Sequence, residues 1–414
     1  MDWIVLGDWL EFAVRWAHVI TAIAWIGSSF YFIALDLGLR PSADRRAGVS
    51  GEAWQVHGGG FYHIQKYMVA PERLPEDLTW FKWESYATWM TGFAMLVLVY
   101  YVGAEFYLVD PEVMDLPLWA AIGISVASLV VGWLAYDAIC RTPFGADNRK
   151  LMVGLYVILV GLAWAYAQVF SGRAALLHLG ALTATIMSGN VFLVIIPNQK
   201  VVVADLIAGR TPDARYGKIA KQRSTHNNYL TLPVLFLMLS NHYPLAYATE
   251  WNWVIASLVF LMGVTIRHYF NTMHARKGRP NWTWAASAAL FAAIVWLSLA
   301  PGAQPWLDDD PWEEDISGLT GSAARYAAAP GFDAVSDIVL GRCSMCHAAE
   351  PGWDGLGHAP KGVRLETPVH VAREARRIYL QAGLSRAMPP GNVSYMEPEE
   401  RAAIVAWIRA AESG

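Results

Sequence analysis

Cysteine is scarce. Three cysteines in 414 residues cannot build a disulfide framework. Two of them fall in one short motif, and Cys140 stands alone as a reduced packing residue. Charge is also scarce, at 16% of residues, and the net charge of −4 excludes the basic surface a nucleic-acid partner needs. The opening "MDWIVLGDWLEF" lacks a basic n-region, and no small-residue cleavage site follows its apolar run. The first apolar segment is therefore expected to stay in the mature protein. What is abundant is apolar side chain: 55% of residues, above the soluble average.

Those residues cluster in runs of membrane-spanning length. Candidate spans are 10–37, 83–104, 116–139, 151–170, 174–196, 226–241, 253–270 and 282–300. The sixth is short and carries Pro233, so a re-entrant or tilted segment is expected there. The loops set the orientation. Arg40, Arg45, Arg46, Lys66 and Arg73 follow the first span; Arg141, Arg149 and Lys150 follow the third. Lys200, Arg210, Arg215, Lys218, Lys221 and Arg223 follow the fifth; Arg276, Lys277 and Arg279 follow the seventh. The alternate loops carry acids instead: Glu105, Asp110, Glu112 and Asp115 in one, Glu250 in another. Positive charge stays cytoplasmic, so both termini face outward. Trp80, Trp83, Trp251, Trp253 and Trp282 near span ends fit an interfacial belt.

After residue 300 the composition changes. "PGAQPWLDDDPWEEDISGLTGS" reads as an acidic Pro/Gly linker over 301–324, and 325–414 as a small soluble domain. That domain contains "GRCSMCHAAEPG", with Cys343, Cys346 and His347 in the C-x-x-C-H spacing of c-type haem attachment. A helix from Phe332 or Asp333 is expected to lead into it. The two thiols would form thioethers to the haem vinyl groups, and His347 would be the proximal ligand. "SRAMPPGN" offers Met388, on a Pro-bearing loop, as the sixth ligand; Met396 is the alternative, and Met345 sits too close to the attachment site. Haem c is attached on the outer face of a bacterial inner membrane, which places this domain in the periplasm, in agreement with the loop charges. In "EPEERAAIVAWIRAA", Pro398 starts a helix whose Ile404, Val405 and Ile408 form a core stripe. The expected fold class is all-α: a polytopic membrane helix bundle of about eight spans over 1–300, then a small C-terminal cytochrome c domain.

Ionisable residues inside spans point to function. His18, His178 and His242 lie toward the outer side; His226, Arg267 and His268 lie toward the inner side. His57, His63 and His274 occupy inner loops, and "HGGGFYHIQKY" is a Gly-rich stretch suited to close approach to a ligand. His226 and His242, sixteen residues apart in the sequence, would be roughly 24 Å apart on a helix. Three roles are open for the histidines: axial ligands of haem b, substrate and proton chemistry, or interhelical hydrogen bonds. His18 is the leading haem-b candidate, because "HVITAIAWIGSSFYF" resembles the first helix of HemJ-type protoporphyrinogen oxidases. Arg267 either clamps a planar anion through paired hydrogen bonds or snorkels to the cytoplasm. Asn190, Asn198, Gln199, Thr225, Asn227 and Asn228 supply donors and acceptors suited to a purine.

"RWAHVITAIAWIGSSFYFIALD", "GGGFYHIQKY", "ATIMSGNVFLVIIPNQ", "RSTHNNYLTLPVLFLMLSNHYP" and "RHYFNTMHARKG", followed by C-x-x-C-H, resemble the integral-membrane, cytochrome c-fused urate oxidases, the PuuD-type urate hydroxylases. The resemblance implies eight spans and a periplasmic cytochrome. It also implies oxidation of urate to 5-hydroxyisourate, with electrons passing through haem c to the respiratory chain and no hydrogen peroxide formed. A soluble cytochrome c or a terminal oxidase would be the acceptor. Within that chemistry His226 or His268 is the candidate general base, and Arg267 and Asn227 hold the substrate. A quinol- or partner-linked electron-transfer cytochrome without substrate chemistry is the alternative class, and a transporter with an appended cytochrome is a third.

Overall fold

The computed structural model describes residues 3–41, 48–68, 71, 74–111, 113–299, 315–354, 356 and 359–413. Arg45, Arg46, Arg73, Glu112 and the part of the acidic linker over 301–314 lie outside the described residues.

Each expected span is helical. These helices are α1 (Trp3–Gly38), α2 (Trp83–Leu96, continued by a π-turn at Val97–Tyr101), α3 (Leu118–Cys140) and α4 (Asn148–Ala167). They continue as α5 (Gly172–Ile207), α6 (Ala214–Ser240), α7 (Asn252–His274) and α8 (Trp282–Leu299). α1, α3, α4, α5 and α7 are long and apolar enough to cross a membrane; α8 is apolar but shorter. Ile23, Val130, Val131, Val153, Val157 and Phe291 are exposed, a surface compatible with a membrane protein.

Local chemistry sets the helix ends. The Asp147 carboxylate accepts the Arg149 and Lys150 N–H groups and caps α4. Ser171 caps α5 and Asp213 caps α6 in the same way. Pro197 removes one N–H from α5, and the ladder answers with a π-turn over Asn190–Ile195 immediately before it.

Two expectations need correction. α6 is not short; it runs as one helix from Ala214 to Ser240 with Pro233 inside it. The Ala, Lys, Gln and Arg residues of 214–223 are good helix formers, so the stretch read as a basic loop is helix. Gly263 of α7 makes room for the proline ring: a Cβ there would lie 2.5 Å from Pro233 Cδ. Nor is the chain purely helical. β1 (Val49–His57) and β2 (Gly60–Tyr67) pair as an antiparallel hairpin. Gly58 and Gly59, at φ 59° and 78°, form the two-residue turn. The Gly-rich stretch is thus explained by a hairpin turn, and His63 stacks on Trp54 and bonds Glu52.

The chain divides into two compact units. One comprises Glu11–Asn241 and Trp251–Ser298; the other comprises Leu299–Gly414 with Met1–Leu10 and His242–Glu250. The C-terminal part of the second unit contains α9 (Gly321–Ala327), α10 (Phe332–Cys343), α11 (Pro368–Arg373) and α12 (Pro398–Ser413). Its core gathers Tyr326, Phe332, Val335, Val339, Tyr379, Ile404 and Ile408 around Trp407. The Trp407 indole N–H donates to the Tyr326 carbonyl at 2.8 Å, so its one polar atom is satisfied. Ile404 and Ile408 are core as expected, but Trp407 rather than Val405 fills the centre.

Candidate functional site

Polar side chains gather along two faces of α6. On one face Arg223, His226 and Asn227 turn toward α3 and α5. Spacings of three and four residues bring them together. Arg223 is 2% exposed, and its Nη2 pairs with the Asp137 carboxylate of α3 at 2.7 Å. The other Asp137 oxygen takes Arg141 at 2.7 Å. Arg223 Nη1 donates to Asn190 Oδ1 at 3.2 Å. Asn190 Nδ2 donates to the Tyr136 oxygen at 3.0 Å and to Asn227 Oδ1 at 2.9 Å. Asn227 Nδ2 closes on the Met187 carbonyl at 2.9 Å. Tyr136 and His226 Nδ1 are 2.8 Å apart. His226 is 2% exposed, and its Nε2 has no partner from the chain; neither does Arg223 Nε.

On the adjacent face Asn228 meets α7. Its Oδ1 accepts from Asn271 at 2.8 Å and from Arg267 Nε at 3.4 Å. Arg267 also donates to Asn271 Oδ1 at 3.1 Å and lies 4.1 Å over the Phe30 ring. It is buried, so of its two expected arrangements the snorkelling one is not adopted.

The other histidines separate. His268 is exposed, turned from Arg267 and set against Trp282. His178 is fully buried, with Nδ1 on the Ala174 carbonyl at 2.8 Å and Nε2 on the Ser125 hydroxyl at 2.7 Å. Tyr100, Tyr166 and Phe170 close around its ring. A haem ligand needs a free nitrogen and an open approach, so His178 fits interhelical bonding and not ligation. His242 lies just beyond α6 and is exposed. His18 has Nδ1 at 3.1 Å from both the Thr88 carbonyl and the Thr91 hydroxyl, which leaves Nε2 for another partner. Gly92 permits this packing, since a Cβ would fall 2.9 Å from His18 Cε1. His18 and His226 thus each keep Nε2 available for a ligand. Among the described residues no group of three or more His, Cys, Asp or Glu side chains is placed to hold a bare metal ion.

In the C-terminal unit α10 ends at Cys343, and Cys346 and His347 occupy the turn that follows. Neither cysteine is in a disulfide. Burial, with Cys346 nearby, pushes the Cys343 thiol up to about 11. His347 Nδ1 donates to the Val363 carbonyl at 2.8 Å, which fixes the ring and leaves Nε2 for an axial bond. Met388 packs on the edge of the core, whereas Met396 is buried within it. That difference favours Met388 as the movable thioether. Arg401, on α12, holds the Met388 loop: Nη1 donates to the carbonyls of Ala382 at 2.6 Å, Met388 at 2.9 Å and Ser385 at 3.3 Å. These residues fit a covalent haem c.

Asp137, Tyr136 and the buried role of Arg223 escaped the sequence reading. An acid within an apolar run, and a base three residues before His226, were the available signals. Arg223 was instead counted among loop cations.

Several long apolar helices around a buried histidine–amide–guanidinium cluster are compatible with a membrane protein. Residues 4–298, more than half the chain, match the urate oxidase N-terminal family, and the chain belongs to that family. No curated protein and no solved structure matches it. The family points to oxidoreductase chemistry on urate.

Proposed function

We propose that the chain oxidises urate to 5-hydroxyisourate in its membrane helices and passes the electrons to a haem c in its C-terminal unit. A soluble cytochrome c or a terminal oxidase then takes them. The reaction balances as urate plus water giving 5-hydroxyisourate, two protons and two electrons. The observation that carries the proposal is the family match over 4–298, which encloses the buried cluster on α6. Urate is a planar monoanion bearing alternating N–H and C=O groups. Buried amides and guanidinium groups answer both features, and a site closed to water strengthens each bond. Haem c, held by Cys343, Cys346, His347 and Met388, would supply a one-electron acceptor. The loop charges and the attachment motif support a reading in which the chain sits in a bacterial inner membrane with eight spans, the N-terminus and the cytochrome unit periplasmic. A haem b, if present, would use His18.

The test uses the purified full-length protein. Urate added without oxygen should reduce haem c and develop its alpha band. Reduction by a quinol but not by urate would instead establish an electron-transfer cytochrome. A pyridine haemochrome spectrum of the same sample counts haem c against haem b, and one haem c per chain is expected.

A further inference from the structure

We propose that Arg223 and His226 form a two-donor clamp for the anionic oxygen of a planar N-heterocycle, and that His226 serves there as a hydrogen-bond donor and not as a base. The proposal rests on the urate reading and assigns the substrate anion to one face of α6.

Charge comes first. Arg223 and Arg141 share the single Asp137 carboxylate. Arg141 is 72% exposed and screened by solvent, so within the buried cluster Arg223 and Asp137 form a neutral pair, and an anion there would be held by hydrogen-bond donors and not by surplus charge. Geometry comes second. Arg223 Nε and His226 Nε2 are both buried and without partners, on residues one helical turn apart. Each would incur the cost of an unmade hydrogen bond unless a ligand met it.

In the proposed arrangement the proton of His226 sits on Nε2. Arg223 can only donate, so the Asn190 atom it meets is the carbonyl oxygen. Asn190 Nδ2 is then the donor to the Tyr136 oxygen. In that arrangement the Tyr136 hydroxyl hydrogen is directed to His226 Nδ1, 2.8 Å away. With Nδ1 accepting, the neutral ring carries its proton on Nε2. The free nitrogen is an N–H, parallel in function to Arg223 Nε–H. Tyr136 and Asn190 are positioning residues: they set the tautomer and act on the substrate only through His226.

The discriminating pair is His226→Gln against His226→Leu in the full-length protein, assayed by urate-driven haem c reduction. A glutamine amide can donate but cannot act as a base. His226→Leu should raise the urate KM about 10- to 150-fold, the loss of one charge-assisted bond. His226→Gln should recover most of the KM lost in His226→Leu, with a kcat well above the collapse expected of a lost base. Tyr136→Phe should raise KM several-fold with kcat little changed. Collapse of kcat in His226→Gln as deep as in His226→Leu would establish a base and overturn the proposal, as would wild-type KM in both. Should His226→Leu fail to reach the membrane, Arg223→Lys decides: it keeps the charge, loses Nε–H and should raise KM at least 10-fold. If urate does not reduce the wild-type haem, the functional reading fails. Equilibrium dialysis with radiolabelled urate then still tests the clamp on the same variants, and equal binding by all of them would refute it.

Discussion

Arg401→Leu removes the cation that gathers the Met388 loop. The guanidinium is buried and makes two short bonds, to the Ala382 and Met388 carbonyls at 2.6 and 2.9 Å. A hydrogen bond to a charged group contributes about 1.5–3 kcal/mol, so the pair accounts for about 3–6 kcal/mol. The longer bonds to Ser385 at 3.3 Å and Asn392 at 3.2 Å add little. In a domain of this size each kcal/mol moves the melting temperature by about 4–8 °C, giving a drop of about 12 to 48 °C. Thermal unfolding of the holoprotein followed at the haem Soret band measures it. The freed loop should also weaken the far-red charge-transfer absorption of a Met–iron bond. Arg401→Lys, which keeps the charge and one or two of the bonds, should fall between the two. A drop under about 4 °C with the Met–iron absorption intact would refute the assignment of Arg401 as the clamp of the ligand loop.

Acid should loosen the same unit through Glu400. Burial alone would raise its carboxyl, but the Arg342 guanidinium and the Glu397 N–H hold it below the ordinary 4.5. A carboxyl lowered by folding adds stability above its unfolded value and loses it as pH falls through the folded one. Soret-monitored stability should therefore decline below about pH 4.5, and Glu400→Gln should flatten that decline while lowering stability at pH 7. In the membrane unit, Gly263→Ala should drive a methyl into Pro233 and part α6 from α7. A cost of about 1–3 kcal/mol is expected, read as faster thermal inactivation in detergent. Cys343→Ser and Cys346→Ser should each leave one thioether at most, shown by haem extracted under acid-acetone or retained on a denaturing gel.

Apolar length made the helices legible in the sequence, because a run that must hide its backbone in lipid declares itself by composition alone. The C-x-x-C-H motif was legible for a similar reason: its residues are local, and the structure adds the Val363 carbonyl that orients His347. The candidate site was less legible. Its parts come from α3, α5 and α6, and only the fold brings Asp137 to Arg223. Arg223 misled because helical propensity extended α6 into what its charge labelled a loop. His268 and Arg267 are adjacent in sequence, yet a helix turns neighbours about 100° apart, and the structure buries one and exposes the other. The hairpin was missed because "HGGG" was weighed as ligand approach and not as a two-residue turn.

Substoichiometric urate, titrated anaerobically into the oxidised full-length protein, tests the central claim most directly. Each urate releases two electrons, so two haem c groups should be reduced per urate consumed, with 5-hydroxyisourate as product and no dependence on oxygen. Consumption of urate with haem c left oxidised, or no consumption at all until oxygen is admitted, would contradict it.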